Sequence, residues 1–243
     1  MSSYLKLMLR MRLFTNLFRL IKIISPMFYV KLWRFVNNYN ALLRSTVRQN
    51  VKLINQDQSP QLKSKMFIDC GVNEGLVLSL YQSLLPDFQF VGFEIQEEMV
   101  ELARERNPGA RIIQSAVATE TGELDIFLPK YYGPNFKGGS TTVASKFASL
   151  QNIETRTCQS IDFIEYLDNQ RNIHGCDYIV VKMDIEGAEF EIIEALFRHY
   201  EKHSQKLIDL LIVEFHPEIE TAVSEAECIS YLEKMGTQIS RWV

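Results

Sequence analysis

Acidic side chains and one histidine directly follow short apolar runs of this sequence. They are Asp69, Glu94, the pair Asp184 and Glu186, and the pair Glu214 and His216. Carboxylates and imidazole can accept protons, bind cations or hold the hydroxyl groups of a ligand. The alternative is structural, because acids also favour helix starts and a lone histidine is often an ordinary hydrogen-bonded residue. The spacing therefore predicts a polar site and leaves its chemistry open.

A glycine-rich turn comes directly after the first of these runs. The segment 69–75 reads Asp-Cys-Gly-Val-Asn-Glu-Gly and lies between the apolar residues 66–68 and a predicted helix. Glycine at Gly71 and Gly75 allows positive φ and a close approach of a ligand to the backbone. Free N–H groups at the helix start can bind the carboxylate of an amino-acid ligand. A tight strand-to-helix turn without a ligand is the alternative, because glycine patterns alone are weak evidence.

Glu94 limits the kind of ligand that this turn would bind. It follows the predicted strand 88–93, roughly twenty residues beyond the turn, where a carboxylate can accept both hydroxyls of a ribose. An ordinary solvated glutamate is the alternative. The sequence has no third glycine at the nicotinamide spacing and no Gly-Lys-Ser or Gly-Lys-Thr phosphate loop. A nucleoside without phosphates is therefore favoured over a dinucleotide.

The segment 182–189, which reads Lys-Met-Asp-Ile-Glu-Gly-Ala-Glu, adds a second group of carboxylates. Lys182 lies in an apolar run, and a lysine there usually needs a partner, so we predict a carboxylate beside it. The glutamates of this segment also suit the positive end of the following helix, which is their structural explanation. The later pair, Glu214 and His216, could act as general bases, metal ligands or acceptor-binding groups.

Predicted strands and helices alternate from residue 65 onward and carry these side chains. Continuous apolar runs are typical of strands that are buried on both faces of a parallel sheet. The predicted strands are 66–68, 88–93, 111–114, 178–183 and 210–213, and the predicted helices are 76–85, 97–106, 188–198 and 222–235. Repeated strand–helix units predict an α/β fold with a doubly wound, mostly parallel sheet, in which ligands bind beyond the carboxyl ends of the strands.

The pattern is weaker in the middle of the chain, where three further elements are predicted. They are a strand at 124–128, a loop rich in glycine and aromatic residues at 131–139, and a helix at 160–167 with Ser160 as its N-cap. Loops at this place in the sequence could bind an acceptor, but their residue types do not identify one.

Composition divides the chain into a basic arm and an acidic body. Residues 1–56 contain ten Lys and Arg and no Asp or Glu, whereas residues 57–243 contain 16 basic and 30 acidic residues. We predict a helical arm at 1–56, a polar linker at 57–64 and one α/β domain at 65–243. The four cysteines form no Cys-x-x-Cys pair, so neither a zinc site nor a disulfide framework is predicted.

The apolar part of the arm, residues 4–36, contains seven Lys or Arg residues. A membrane-spanning helix needs about 20 largely uncharged residues, and a secretory signal needs a clean apolar centre, so both are disfavoured. Three interpretations stay open: contact with an anionic membrane surface, an organelle-targeting peptide, and a helical cap on the body or on a partner. The expected location is the cytoplasm, at a membrane surface under the first interpretation. The acidic body and the lack of a recognition motif argue against a nucleic-acid partner.

Taken together, the motifs resemble those of the FkbM family of class I S-adenosylmethionine-dependent methyltransferases. The matching blocks are FIDCGVNEG (67–75), VGFEIQ (91–96), SAVA (115–118), SID (160–162), KMDIEGAEFEII (182–193) and LIVEFHPE (211–218). The resemblance implies a Rossmann-like fold with S-adenosylmethionine as the cofactor. This class usually ends in an antiparallel pair of strands, and residues 237–243 leave room for one strand, so we expect a shortened pair.

The resemblance also implies a role for each motif. The cofactor-binding residues are expected to be Asp69, Gly71, Asn73 and Gly75 at the methionine end, Glu94 at the ribose, and Ile95 and Ala116 beside the adenine. Asp184 and Glu186 would face the transferred methyl group or the acceptor.

The reaction that the family implies is methyl transfer to a hydroxyl of a sugar, a glycolipid or another small natural product. A hydroxyl needs in-line approach and a base for its proton. Asp184 is the first candidate for this base, with Glu214 or His216 as alternates. A divalent cation between Asp184 and Glu214 could fit, but the motifs do not require one, and no metal is predicted. The alternative functions are an N-methyltransferase and an inactive, cofactor-binding scaffold attached to a membrane.

Overall fold

A computed structural model describes residues 26–56, 62–129, 141–143, 153–216, 219 and 221–242 of the chain. The contacts divide the chain into two compact units, residues 1–46 and 47–243. The predicted loop at 131–139 lies outside the described residues, as do residues 1–25 of the predicted arm. The proposed boundaries of arm, linker and domain therefore stay predictions.

Helix α1 (Pro26–Gln56) is the long helix of the basic region. It begins at a proline, which suits the first helical position because its fixed φ matches a helix and its missing N–H is not needed there. Its C-terminal part belongs to the larger unit, where the Asn50 amide donates to the Tyr81 hydroxyl (2.9 Å) and accepts from the Ser240 hydroxyl (2.6 Å). Among the described helices, none combines the length and the apolar character that a membrane span requires.

The main sheet has six strands in the order β3-β2-β1-β7-β8-β9, and every neighbouring pair is parallel. The strands are β1 (Lys65–Cys70), β2 (Gln89–Glu94), β3 (Ala110–Gln114), β7 (Tyr178–Met183), β8 (Leu210–Val213) and β9 (Gln238–Arg241). The central strands are buried on both faces, which explains their unbroken apolar sequences. The predicted doubly wound α/β fold is confirmed.

Five further helices lie within the described part of the chain after α1. They are α2 (Leu76–Leu84), α3 (Glu97–Arg106), α4 (Phe163–Asn172), α5 (Glu189–His203) and α6 (Glu225–Met235). Strand β1 shows how both faces of the sheet are covered, because successive side chains of a strand point to opposite faces. The ring of Phe67 packs against that of Tyr81 on α2 at a tilt of 32°, with ring centroids 4.3 Å apart. Ile68 belongs to the apolar core that also contains Leu167 of α4, Ile192 of α5 and Leu232 of α6.

A smaller sheet joins β4 (Ala116–Ala118), β5 (Gly122–Pro129) and β6 (Ile153–Asp162) in the order β4-β6-β5. The predicted strand at 124–128 lies inside β5. The predicted N-cap at Ser160 is wrong, because Ser160 lies in β6, where it pairs with both neighbouring strands. The cap is Asp162, whose carboxylate accepts from the backbone N–H of Glu165 (2.9 Å). Because of this strand pairing, helix α4 begins at Phe163 and not at the predicted residue 160.

The C-terminal part of the described chain ends in one strand. Helix α6 is capped by Ser224 and Glu227, which form a reciprocal capping box. The helix crosses back over the sheet, so β9 runs parallel to β8. The sequence led us to expect a shortened antiparallel pair of strands at this end. The described residues form a single parallel strand there instead.

Candidate active site

The site residues predicted from the sequence meet at the carboxyl edge of the main sheet. Strand β1 pairs on one side with β2 and on the other with β7, which pairs in turn with β8. Because parallel strands end at the same edge, the segments after Cys70, Glu94, Met183 and Val213 are neighbours. This edge therefore brings the glycine turn and the predicted carboxylates together.

The glycine turn passes directly beside the segment that follows β7. Gly71 has φ +82°, and a Cβ atom there would lie 2.0 Å from the carbonyl oxygen of Asp184. The backbone N–H of Asp184 donates to the carbonyl of Cys70 (3.1 Å). A glycine is thus required at position 71, because the backbone of the turn lies so close to the backbone of Asp184 that a Cβ atom would not fit. The consequence is that Asp184 adjoins the turn that would hold a cofactor.

Glu94 connects the glycine turn to the end of β2 through hydrogen bonds. Its carboxylate accepts backbone hydrogen bonds from Asn73 (2.8 Å), Ile95 (2.9 Å) and Gln96 (3.0 Å). Burial raises the pKa of Glu94, and these hydrogen bonds oppose the increase. Ala116, which is expected beside the adenine, is buried at the start of β4. A carboxylate has about four acceptor positions, so the three amides leave one for a ligand hydroxyl.

A buried lysine connects the cofactor turn with the segment after β7. Lys182 Nζ lies 3.2 Å from Asp69 Oδ1 and 3.5 Å from Asp184 Oδ2, and it lies 5.1 Å from the ring centre of Trp242. The side chains of Lys182 and Asp69 are 2% and 1% exposed, so the contact between them is a buried ion pair. Burial raises the pKa of Asp69 to about 6, although the charge of Lys182 opposes the increase. The carboxylate partner that the sequence predicts for Lys182 is therefore present.

His216 lies between two glutamates. Its Nε2 is 3.2 Å from Glu186 Oε2, and its Nδ1 is 2.5 Å from Oε1 of the fully buried Glu189. The other oxygen of Glu189 accepts from the backbone N–H of Gly187 (2.6 Å). Burial lowers the pKa of His216, but the hydrogen bond with Glu189 and the nearby carboxylates outweigh it and raise the pKa to about 9. In this state His216 keeps its proton at neutral pH and donates hydrogen bonds, so it is poorly suited to act as a base.

Glu186 occupies an unusual backbone conformation at the centre of this group. Its φ is +60°, a region that residues other than glycine rarely adopt and that is concentrated at functional sites. The hydroxyl of Thr141 donates to the Glu186 carbonyl (2.7 Å) and supports the turn.

Glu214, which is half-buried, has its pKa raised by burial and by the charge of Asp184. All four predicted catalytic residues therefore lie in one region.

Three residues of the site were not predicted as functional from the sequence. Glu189 could have been found from its helical spacing to the apolar residues Ile192, Ile193 and Leu196, because a carboxylate on an apolar helix face usually has a specific partner. Asn107 donates from its side chain to the carbonyls of Gly75 (3.0 Å) and Ala103 (2.9 Å), and so supports the cofactor turn from α3. Trp242 reaches Lys182 from the last described residues, and nothing in the local sequence indicates that contact.

An open parallel sheet with a glycine turn after its first strand and a carboxylate after its second defines a class of nucleoside-binding α/β proteins. The model of the FkbM methyltransferase domain matches residues 69–239, so the chain belongs to the FkbM family of methyltransferases. The cofactor of this family is S-adenosylmethionine. The resemblance seen in the sequence motifs is thereby confirmed.

Several solved structures are similar to this chain at low identity, whereas no curated protein matches it. The N-terminal domain of human METTL16 in complex with SAH is 11% identical with a TM-score of 0.37, over 82% of this chain and 60% of that one. The human methyltransferase 10 domain containing protein is 11% identical with a TM-score of 0.41, over 79% and 72%. The plantazolicin methyltransferase BpumL, in complex with a pentazolic analogue and SAH, is 12% identical with a TM-score of 0.31, over 90% and 68%. The chain thus spans less than two thirds of the METTL16 domain.

The residues at the site fit S-adenosylmethionine. Helix α2 begins after Gly75 without a side-chain cap from the described residues, so the N–H groups of its first turn can receive the methionine carboxylate. Glu94 has an acceptor position left for a ribose hydroxyl. The carboxylates of Asp69 and Asp184 give the surroundings a negative charge that suits a sulfonium cation.

Proposed function

We propose that this chain transfers the methyl group of S-adenosylmethionine to a hydroxyl of a sugar, a glycolipid or another small molecule. The observation that carries the proposal is the contact of the Asp184 backbone with the cofactor turn at Gly71. A carboxylate so close to the methyl donor can receive the proton of the reacting hydroxyl. The side chain of Asp184 is 27% exposed, so an acceptor can approach it.

The reaction forms one oxygen–carbon bond and breaks one carbon–sulfur bond. The acceptor oxygen attacks the methyl carbon in line with the sulfur, and the electron pair of the broken bond returns to sulfur, which leaves S-adenosylhomocysteine. The hydroxyl proton passes to the carboxylate of Asp184. Glu214 is the alternate base, because burial and the charge of Asp184 raise its pKa and make it a better proton acceptor than an ordinary glutamate.

The other charged residues act on this centre indirectly. Lys182 holds the carboxylates of Asp69 and Asp184 in place through its two ion pairs. His216, protonated between Glu186 and Glu189, orients the Glu186 carboxylate toward the acceptor side. In this proposal Glu186 binds the acceptor, and His216 does not take its proton.

The cofactor lies along the turn after β1 and the end of β2 in this proposal. Its methionine part contacts Asp69, Gly71, Asn73 and Gly75. Its ribose binds Glu94, and its adenine lies between Ile95 and Ala116. Support for this placement comes from the positions of these residues at one sheet edge and from the start of α2, which no described side chain caps.

Turnover with labelled cofactor tests the proposal. S-adenosylmethionine with a tritiated methyl group is incubated with sugar and glycolipid acceptors, and with the same acceptors after their hydroxyls are blocked. We expect label only in the unblocked acceptors, a loss of about 100-fold or more for Asp184→Asn, and wild-type turnover for Glu191→Gln, an exposed carboxylate on α5. Label in amine acceptors alone would indicate N-methylation, and cofactor binding without turnover on any acceptor would favour the scaffold.

We also propose that residues 4–36 contact an anionic membrane surface from the cytoplasm. The support is the charge asymmetry of the sequence, with ten basic and no acidic residues in 1–56. Basic residues near an anionic surface contribute about 1 kcal/mol each to binding. A targeting peptide for import into an organelle is the alternative for the same residues.

A further inference from the structure

We propose that Asp184, Glu186 and His216 form a binding site for a divalent transition-metal cation. Each residue offers one ligand atom, and the three atoms all lie within 4.8 Å of one another. Glu186 Oε2 and His216 Nε2 are 3.2 Å apart. Two ligands at right angles on a cation with bonds of about 2.1 Å would be about 3.0 Å apart. The spacing is therefore close to that of a coordination sphere.

The second observation is the buried carboxylate behind the histidine. Glu189 is fully buried, and its Oε1 lies 2.5 Å from His216 Nδ1 on the side of the ring that faces away from Glu186. Histidines that bind metals almost always have their other ring nitrogen hydrogen-bonded to a carboxylate, a carbonyl or water, which fixes the ring and its tautomer. Glu189 thus holds His216 with Nε2 directed toward the two other ligands. A bound cation would take the place of the proton that Nε2 carries in the metal-free protein, and that proton would pass to solvent.

The local charges also favour a cation. The sheet edge gathers two positive side chains and five carboxylates, which are Lys182 and His216 against Asp69, Asp184, Glu186, Glu189 and Glu214. Even with both basic groups charged, the carboxylates exceed them, and excess charge of one sign in a largely buried site is costly. A divalent cation between Asp184 and Glu186 would reduce that excess.

The donor set indicates which cations would bind. One imidazole and two carboxylates suit Mn²⁺, Fe²⁺ or Zn²⁺, whereas Mg²⁺ and Ca²⁺ prefer oxygen ligands throughout. The side chains of Asp184, Glu186 and His216 are 27%, 17% and 10% exposed, so further coordination positions can be open to water or substrate. Such a cation could bind the acceptor hydroxyl and promote loss of its proton. This use of the cation depends on the proposed function, but the binding site itself does not.

Titration of the full-length protein with Mn²⁺, after treatment with EDTA, tests the site. Electron paramagnetic resonance measures free Mn²⁺, whose signal disappears on binding. We expect about one Mn²⁺ per chain, and binding at least about tenfold weaker in Glu186→Gln, His216→Gln and Glu189→Gln. His199 and His203 on α5, whose ring centroids are 4.5 Å apart, could bind metal by chance, so His203→Gln is the control and should bind like the wild type.

The outcomes separate the cation site from its alternatives. Absence of Mn²⁺ binding in the wild type, unchanged binding in Glu186→Gln, or loss of binding in His203→Gln would each overturn the proposal. Circular dichroism and binding of S-adenosylhomocysteine are measured on every variant, so that a folding defect is recognised. A wild type that binds Mn²⁺ but not S-adenosylhomocysteine would contradict the proposed function and support the cation site.

Discussion

Lys182 and Asp69 form a buried ion pair across the two central strands, with 3.2 Å between Lys182 Nζ and Asp69 Oδ1. The two residues are register partners, so the pair follows directly from the parallel pairing of β1 with β7. Lys182 also contacts Asp184, 3.5 Å away. The ion pair therefore connects the cofactor turn with the proposed catalytic base.

Removal of Lys182 alone should be strongly destabilising. In Lys182→Met, Asp69 keeps a buried carboxylate without its cation, which typically costs about 3–5 kcal/mol of the free energy of unfolding. The double variant with Asp69→Asn should recover at least half of that loss. Urea unfolding measures these values, and Lys202→Met, an exposed lysine, should change stability by less than about 0.5 kcal/mol. Losses that simply add in the double variant would show that the pair is not coupled.

Gly71 should not tolerate a side chain. In Gly71→Ala the new Cβ would meet the Asp184 carbonyl at 2.0 Å, and φ is +82°, so the turn must move. We expect a loss of about 1–3 kcal/mol of stability and much weaker cofactor binding. Gly122→Ala is the matched control, because a Cβ there has no neighbour within 4 Å. Thermal unfolding and cofactor titration compare the two variants, and equal behaviour would refute the close approach.

The pKa of His216 should depend on Glu189. In the metal-free protein we expect a pKa of about 9 by NMR titration, and a clearly lower pKa in Glu189→Gln. Because the pKa in the fold is raised above the ordinary 6.5, the stabilisation is fully present below pH 6.5 and is lost as the pH rises through about 9. The wild type should therefore lose more free energy of unfolding than Glu189→Gln between these pH values. An unchanged pKa in the variant would contradict the assigned contact.

Vesicle flotation tests the proposed contact of the arm with membranes. Replacement of five basic residues by glutamine in the full-length chain should abolish flotation with anionic vesicles; they are Lys6, Arg10, Arg12, Arg19 and Lys22. Neutral vesicles should bind neither protein, because the attraction is electrostatic, and added salt should weaken the binding of the wild type. Equal flotation of wild type and variant would remove the membrane proposal.

The sequence predicted most accurately the elements that are determined by local residue patterns or by burial on both faces of the sheet. The strands 178–183 and 210–213 have the predicted bounds, because a continuous apolar run between polar turns has few other places in an α/β fold. The grouping of Asp184 with the turn at Asp69 also followed, because parallel strands end at one edge.

The predictions failed where contacts distant in sequence decide the structure. Serine often caps helices, but pairing with β4 and β5 keeps Ser160 in a strand. The parallel direction of β9 depends on the path of α6 over the sheet. The contact of Trp242 with Lys182 joins residues sixty positions apart, and no local pattern could indicate it.

Calorimetry with S-adenosylhomocysteine measures whether this chain binds the product of its expected cofactor. The wild type should bind one molecule per chain at the turn after β1. Glu94→Ala should bind at least about tenfold more weakly, because the turn loses its anchor and the ribose its acceptor. Glu101→Gln, an exposed carboxylate on α3, should bind like the wild type. A wild-type protein that is folded and shows no binding of S-adenosylhomocysteine would show that this sheet edge is not a cofactor site.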